Sequence, residues 1–459
     1  MCEKKLSGIK ISILTLGCKV NAYESDAMAA LLKSEGAEMV DSIDPADVYI
    51  INTCSVTNIA DRKSRQMLHR VRKMSENSII IAAGCYIQAL SEKEREELNV
   101  DGVCGNNLKK DIVSVVTECL EKRKAEKESE ENNLKENTLC GKVIDISKDF
   151  EYEEFDESEC ASNTRAYLKI QDGCNQFCSY CIIPYTRGRI RSRKPCDVIS
   201  EAKTLSDAGY KEIVLTGIHL SSYTAYGEKG GNALILLLNE LSEIDGIKRI
   251  RLGSLEPRVV THEFADKISK IEKLCPQFHL SLQSGSDTVL KRMNRKYVTA
   301  EYIAGCDELR RVYDNPAITT DIIVGFPGET EAEFSETVEF AKKVNFSRIH
   351  IFKYSRRRGT VADKMPGQIE EKVKSERSDI LSKAEEKMAY DYAASFMGKT
   401  QNVLLEEEEK IDGVTYLTGY SERYVRCAVK NLDYKENMIV RVRGKEIKNN
   451  ILICDERME

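Results

Sequence analysis

Val48-Tyr49-Ile50-Ile51-Asn52-Thr53-Cys54 is a strand-length run of β-favouring residues that ends on a cysteine. Two other runs share its grammar. Ile11-Ser12-Ile13-Leu14-Thr15-Leu16-Gly17 leads to Cys18, and Ile79-Ile80-Ile81-Ala82-Ala83-Gly84 leads to Cys85. A helical pattern follows each run. Short β-rich runs alternating with helices argue for a parallel, doubly wound sheet. Ligands of such sheets gather beyond the carboxyl ends of the strands. Cys18, Cys54 and Cys85 therefore can converge although they lie far apart in sequence. Three unrelated core cysteines are the plainer alternative, since free Cys is a common buried residue. Their repeated placement favours a metal site.

A second cysteine set is contiguous. Asp172-Gly173-Cys174-Asn175-Gln176-Phe177-Cys178-Ser179-Tyr180-Cys181 offers three thiolates in one short loop, with no fourth nearby. A cubane iron–sulfur cluster has four irons, so three cysteines leave one iron open, whereas ferredoxins close all four positions. An open iron can bind and activate a molecule. Structural zinc is the first rival, but its ligands usually come as paired C-x₂-C motifs. A disulfide loop is the second, and it suits an exported chain rather than this one.

The chain has 459 residues, a length typical of about three domains. Its net charge of -6 does not announce a nucleic-acid binder, so any such site must be a local basic patch. Sixteen cysteines are spread along the whole length and do not form a secreted-type framework. No run of about eighteen apolar residues suggests a membrane span. Lys4, Lys5 and Lys10 ahead of the first apolar run faintly imitate a signal peptide, but that run is short and diluted by Ser12 and Thr15. The expectation is a cytoplasmic protein with reduced thiols and no membrane partner.

Residues 121–160 change character. Glu121 to Glu136 is dense in charge and Asp149 to Glu159 is acidic, which reads as a linker, with Cys140 and Cys160 incidental. From Arg165 strand–helix alternation resumes. Candidate strands are Ala166–Ile170, Glu212–Thr216, Arg249–Leu252, Phe278–Leu282, Thr319–Val324 and Arg348–Phe352. Candidate helices include Asp197–Ala208, Ala233–Ile244 and Glu331–Val344. Six parallel strands suggest an open, partial barrel with its chemistry at the carboxyl ends. A charge-rich helix follows over about Gln368–Phe396. Short runs at Asn402–Leu405, Val414–Leu417, Val425–Val429, Met438–Val442 and Ile451–Ile453 then suggest a small β-barrel of the RNA-binding sort.

The residues around the contiguous triplet, from Ala166-Tyr167-Leu168-Lys169-Ile170-Gln171 through Cys181-Ile182-Ile183-Pro184-Tyr185-Thr186-Arg187-Gly188-Arg189, resemble the radical S-adenosylmethionine methylthiotransferases. Leu16-Gly17-Cys18-Lys19-Val20-Asn21, Asn52-Thr53-Cys54 and Gly84-Cys85-Tyr86-Ile87-Gln88 are similar to that family's first domain. The resemblance implies an α/β chain in four parts: an N-terminal doubly wound domain at 8–122, an acidic linker at 123–160, a six-stranded partial radical SAM barrel at 161–395, and a TRAM-like β-barrel at 396–459. It further implies two 4Fe–4S clusters. Cys174, Cys178 and Cys181 would hold the one that binds S-adenosylmethionine, and Cys18, Cys54 and Cys85 the one that delivers sulfur.

Within the family, Lys19-Val20-Asn21, Thr216-Gly217-Ile218-His219-Leu220 and His279-Leu280-Ser281-Leu282-Gln283-Ser284-Gly285 look like the branch that modifies N6-threonylcarbamoyladenosine in tRNA. The isopentenyladenosine branch would show Gln-Met-Asn after the first cysteine and Gln-Asn-Val near position 218. A third branch modifies an aspartate of a ribosomal protein, and a non-enzymatic iron–sulfur RNA-binding protein is the rival outside enzymes. The implied partners are tRNA, an electron donor of flavodoxin or ferredoxin type and a sulfur source.

Further contacts with the cofactor are expected at Tyr180, at the strand end Thr216-Gly217, at Gln283, and at Gly325 and Gly328 in Gly325-Phe326-Pro327-Gly328-Glu329-Thr330. That last segment reads equally as a capped strand–helix turn. Arg187, Arg189, Arg191 and Arg193 alternate, so an extended backbone would put them on one side as a phosphate-binding strip. The basic helix Arg62–Lys73 and the run Arg356-Arg357-Arg358 read as either RNA contacts or solvated surface. Cys104 follows another candidate strand but is left out as a ligand, and Cys196, Cys275, Cys306 and Cys427 have no site-like spacing.

Overall fold

The computed structural model describes residues 4–41, 45–128, 138–155, 164–430 and 433–456. The chain divides into two compact units. The first combines Met1–Ala161, Gln171–Arg193 and Ser355–Thr360, and the second Ser162–Ile170, Lys194–Tyr354 and Val361–Glu459.

In the first unit six strands pair in parallel, in the spatial order Glu38–Met39, Lys10–Thr15, Val48–Thr53, Ile79–Gly84, Gly102–Cys104 and Cys140–Lys142. In chain order this is 2-1-3-4-5-6, a doubly wound arrangement whose switch point lies between the first and third strands. Alternate residues of the central strands feed two cores. Val48, Ile50, Ile79 and Ile81 pack with Met28, Leu32, Ile112 and Val116 on one face. Tyr49, Ile51, Ile80 and Ala82 pack with Leu68, Val71, Tyr86 and Ile87 on the other. Burial on both faces explains why these strands read as continuous apolar runs.

The linker expected at 123–160 is only partly a linker. Helix Ile112–Glu128 runs into it, and Cys140–Lys142 adds the outermost strand. Three residues amid dense charge give too short a signal to read from sequence. Cys140 is buried against that sheet, so it is a core residue, while Cys160 lies outside the described residues.

In the second unit all six expected strands form, as Arg165–Asp172 (whose first six residues belong here), Glu212–Gly217, Arg249–Leu252, Gln277–Leu280, Ala317–Val324 and Arg348–Lys353. Their ladder is interrupted. Arg249–Leu252 pairs with Glu212–Gly217, then the chain passes Gly253 and a second short strand, Ser254–Leu255, pairs with Gln277–Leu280. Parallel pairing continues to Ala317–Val324 and Arg348–Lys353. Helices Pro195–Asp207, Gly231–Ser242 and Glu331–Val344 occupy the intervals, as expected. After helix Glu371–Ala394, five strands close a barrel in the order Thr400–Ile411, Val414–Ser421, Arg426–Val429, Ile451–Glu456 and Ile439–Lys448. Val403, Leu405, Cys427, Val442 and Leu452 fill it. The acidic block Glu406–Glu409 sits in its first strand, where the register shifts between Leu405 and Glu407. Among the described residues no helix is long and apolar enough to cross a membrane.

Candidate metal centre

Three neighbouring strands of the first unit end level with one another, Thr15 opposite Asn52, Asn52 opposite Ala83 and Thr53 opposite Gly84. Each then releases a cysteine. Cys18 caps helix Lys19–Ser34 from an extended backbone, Cys54 opens the loop before helix Asn58–Met74, and Cys85 is the first residue of helix Cys85–Ala89. Parallel register thus assembles three distant thiols. Gly17 (φ +115°) makes the packing possible: a Cβ there would stand 2.8 Å from the Cys54 Cβ and 2.9 Å from its Sγ.

Buried polar side chains fix this corner. Asn21 donates to the carbonyls of Leu16 (2.8 Å) and Thr53 (3.0 Å). Asn52 donates to the Asn21 carbonyl and the Ser25 hydroxyl, both at 3.0 Å. The Thr53 hydroxyl donates to the Ala83 carbonyl and accepts from the Tyr86 amide. Burial pushes the Cys54 thiol up to about 11, with Cys85 and Cys18 adding to the rise. Cys18 is open to solvent on one side, yet the protein packed around its sulfur also raises its pKa, against the pull of the Arg187 charge.

The contiguous triplet lies in the same unit. Gly173 (φ +70°) turns the chain into it so tightly that a Cβ there would fall 1.8 Å from the Arg189 carbonyl oxygen. The Cys174 amide donates to the Gly188 carbonyl (3.1 Å), and the Cys181 amide to that of Cys178 (2.9 Å). The Cys174 sulfur accepts from the Gln176 amide at 3.4 Å. All three cysteines are half-buried, and so is Tyr180 between the last two. Among the described residues no three His, Cys, Asp or Glu side chains close on a point that would hold a single ion. A cubane would give each thiolate an iron of its own.

The four alternating arginines do not form one strip. The chain turns at Gly188, and Arg187, Arg191 and Arg193 go inward while Arg189 stays exposed. Arg193 forks onto Glu154, and Arg191 lies 3.8 Å from Asp172. Arg187, only 1% exposed, donates to Glu24 (2.7 and 3.0 Å), Asp172 (3.0 and 3.2 Å) and Asn21 (2.9 Å). Burial works against its charge, but Cys85, Glu24 and Asp172 hold its pKa above the ordinary arginine value. The expectation overlooked that an arginine beside carboxylates is drawn inward to pair. Arg189 stacks over the Phe177 ring at 4.8 Å, and Phe177 meets Tyr185 edge-on. In the run Arg356-Arg357-Arg358, Arg357 is also buried, donating to Ser55 and Asp61.

The remaining expected contacts lie in the second unit. Thr216 and Gly217 end the strand Glu212–Gly217, and Thr216 is buried. Gln283 has φ +71° and both main-chain groups engaged, its amide with the Asp321 carbonyl and its carbonyl with the Ile323 amide. Gly325 and Gly328 offer no free N–H. The Gly325 amide donates to Glu329 (2.7 Å), which Arg377 holds at 2.7 Å, and the Gly328 amide donates to the Gly367 carbonyl (2.8 Å). The segment is the capped strand–helix turn, with Thr330 and Glu333 completing a capping box.

Comparison with known proteins agrees with this architecture. Residues 168–341 match the Radical SAM superfamily and residues 10–105 match Uncharacterized protein family UPF0004. The Threonylcarbamoyladenosine tRNA methylthiotransferase MtaB of Bacillus subtilis (strain 168) is 39% identical over 94% of this chain and 93% of its own length. The chain belongs to the radical S-adenosylmethionine methylthiotransferase family. The tRNA-2-methylthio-N(6)-dimethylallyladenosine synthase of Thermoanaerobacter pseudethanolicus (strain ATCC 33223 / 39E) is 37% identical over 89% of this chain and 85% of its own. Among solved structures, the radical S-adenosylmethionine methyltransferase TsrM from Kitasatospora setae shares the fold at 12% identity, with a TM-score of 0.56 over 89% of this chain and 82% of its own.

Radical SAM methylthiotransferases are enzymes that use S-adenosylmethionine and two 4Fe–4S clusters. The donor sets suit such groups: two separate thiol triplets, one in a preformed corner and one in a glycine-turned loop. A buried donor, the Arg187 Nε, also has no hydrogen-bond partner among the described residues. Reading the sequence missed the residues that surround Arg187. Helix Lys19–Ser34 buries Val20, Asn21, Glu24, Ala27 and Met28 on one face. A carboxylate at a core-facing position of that period was the available signal.

Proposed function

We propose that this chain is a tRNA methylthiotransferase that installs a methylthio group on C2 of N6-threonylcarbamoyladenosine, on the 3′ side of the anticodon. The observation that carries the reading is the presence of two complete cysteine triplets in one compact unit, each leaving one iron of a cubane without a cysteine ligand. Cys174, Cys178 and Cys181 hold the cluster that binds S-adenosylmethionine, and Cys18, Cys54 and Cys85 hold the cluster that serves as sulfur donor. Bound in this way, the cofactors supply reductive cleavage of the sulfonium and the methylated sulfur that is transferred. The chain's own part is positioning. Level strand ends fix the first triplet and Gly173 fixes the second.

The five-stranded C-terminal barrel fits a TRAM-like RNA-binding domain. Its strand Ile439–Lys448 alternates buried Val440 and Val442 with exposed Arg441 and Arg443, which suits contact with phosphate. Electrons come from a donor of flavodoxin or ferredoxin type, a separate source replenishes the sulfur, and the substrate places the enzyme in the cytoplasm. Lys19-Val20-Asn21 and Ile218-His219-Leu220 favour the threonylcarbamoyl base over the isopentenyl base. The test is anaerobic reconstitution with reductant and S-adenosylmethionine, followed by mass spectrometry of tRNA carrying either modified adenosine. A methylthio product on the threonylcarbamoyl base supports the reading, a product on the isopentenyl base alone moves the chain to the other branch, and absence of 5′-deoxyadenosine rejects radical chemistry.

A further inference from the structure

We propose that Arg187, with Asn106 beside it, registers the dispersed cysteine site against the Cys174–Cys181 loop and sets the electrostatic environment of the cluster at Cys18, Cys54 and Cys85. This rests on the two-cluster reading above.

The guanidinium of Arg187 is shared between the two cysteine sites. Asn21 and Glu24, which accept from it, lie in the opening turns of the helix capped by Cys18. Asp172, which also accepts, immediately precedes the Gly173-Cys174 turn. Arg187 itself ends the short helix Ile183–Thr186 that follows Cys181. A planar fork fixes both loops relative to one another as a flexible point charge does not.

Asn106 closes the arrangement from the other side. Its Nδ2 lies 3.4 Å from the Cys85 sulfur and 2.7 Å from the Thr186 carbonyl oxygen, so one amide touches a ligand of one site and the backbone that leads from the other. Its Oδ1 accepts from Lys109 at 2.8 Å, and Lys109 pairs with Glu24. Three buried cations, Arg187, Lys109 and Arg191, face two buried carboxylates, Glu24 and Asp172. A buried charge cluster of this kind is not needed for stability, since an apolar core of the same volume serves as well. Its value is geometric and electrostatic. Ligand-sulfur hydrogen bonds and nearby charge are the levers by which a protein sets a cluster's potential. The uncommitted Arg187 Nε adds a donor that a cluster sulfur would satisfy.

The sign follows from charge. Reduction adds an electron to the cluster, and a cation and an N–H donor stabilise the added negative charge, so removing either lowers the midpoint potential. The experiment uses the full-length chain with Cys174→Ala, Cys178→Ala and Cys181→Ala, which leaves the dispersed site as the one iron–sulfur signal. Redox titration followed by electron paramagnetic resonance compares this background with added Arg187→Gln, Asn106→Leu or Arg187→Lys. Arg187→Gln and Asn106→Leu are expected to lower the reduced-to-oxidised ratio about tenfold at a fixed potential, a shift of about 59 mV for one electron. Arg187→Lys keeps the charge and is expected to move the potential by less than half of that. In the two-cluster enzyme Arg187→Lys loses the fork, and methylthio product per 5′-deoxyadenosine is expected to fall about tenfold.

Unchanged potentials in Arg187→Gln and Asn106→Leu, with iron content retained, overturn the inference. Should Arg187→Gln fail to take up iron, Asn106→Leu decides by the same criterion. A wild-type chain that binds iron at one site only overturns the two-cluster reading, and the inference with it. Two clusters with unmoved potentials overturn the inference alone.

Discussion

The two cysteine triplets reach comparable chemistry by opposite routes. Cys174, Cys178 and Cys181 are neighbours in sequence, and one turn at Gly173 with a few main-chain hydrogen bonds shapes their loop. Cys18, Cys54 and Cys85 are brought together by the parallel register of three strands and a buried polar scaffold. The contiguous set depends on local backbone and the dispersed set on the whole sheet. Damage to the sheet should therefore silence the dispersed site first, and damage to the loop should silence the other.

The largest effects are expected at the cysteines themselves. Cys178→Ala should abolish 5′-deoxyadenosine formation. Cys54→Ala should leave cofactor cleavage detectable while methylthio transfer stops. Quantifying both products from each variant makes the comparison, and methylthio product from Cys54→Ala would remove Cys54 from the ligand set.

Glycine substitutions separate the two routes without touching a thiol. Gly17→Ala puts a methyl group within 2.9 Å of the Cys54 sulfur at a backbone angle that L residues avoid. It should cut iron bound at the dispersed site at least severalfold and spare the contiguous site. Gly173→Ala collides with the Arg189 carbonyl and should do the reverse. Iron analysis of each variant, in backgrounds retaining one cysteine set, reads the outcome. Loss at both sites from either substitution would show that the loops are one structural element.

A smaller effect is expected at the helix that begins just past Cys54. Asn58–Met74 exposes Arg62, Lys63, Arg70 and Lys73, and none of these has an ion-pair partner among the described residues. Helix Glu371–Ala394, by contrast, pairs Lys372 with Glu376 and Lys387 with Asp391 at i,i+4 spacing. Unrelieved like charge along a helix is destabilising, and a polyanion relieves it. Converting the four residues to Glu should weaken tRNA binding about tenfold at low salt and flatten its salt dependence. Unaltered binding by filter retention would leave the helix as solvated surface.

The sheet was legible because its central strands Val48–Thr53 and Ile79–Gly84 are buried on both faces and each leads into a cysteine, so they carry their boundaries in plain apolar runs. The contiguous triplet was legible from spacing alone. What sequence reading missed depends on direction rather than identity. Arg187 and Arg189 look equivalent as letters, but the turn at Gly188 sends one to Glu24 and Asp172 and leaves the other over Phe177. Gly325 and Gly328 resemble a ligand-binding turn until the destinations of their amides are known. A motif supplies donors, and only the fold shows whether they are already spent.

That distinction also predicts how acid acts on the second unit, where the smallest effect is expected. Glu333 caps the helix after the Gly325–Gly328 turn and takes both Arg292 Nη atoms at 2.9 Å. The Arg292 fork holds its carboxyl down at about 2, against an ordinary 4.5, with Thr288 and the Thr330 amide also accepted. A depressed carboxyl pKa means that the unfolded chain binds its proton first, so the pair stabilises fully above about 4.5 and is lost as pH falls toward about 2. Glu333→Gln should cost about 1 kcal/mol at neutral pH, because the pair is partly exposed, and should flatten the acid limb of thermal stability in that window. An acid limb as steep as in wild type would place the sensitivity elsewhere and leave this turn held by the Glu329–Arg377 pair and the Gly328–Gly367 bond.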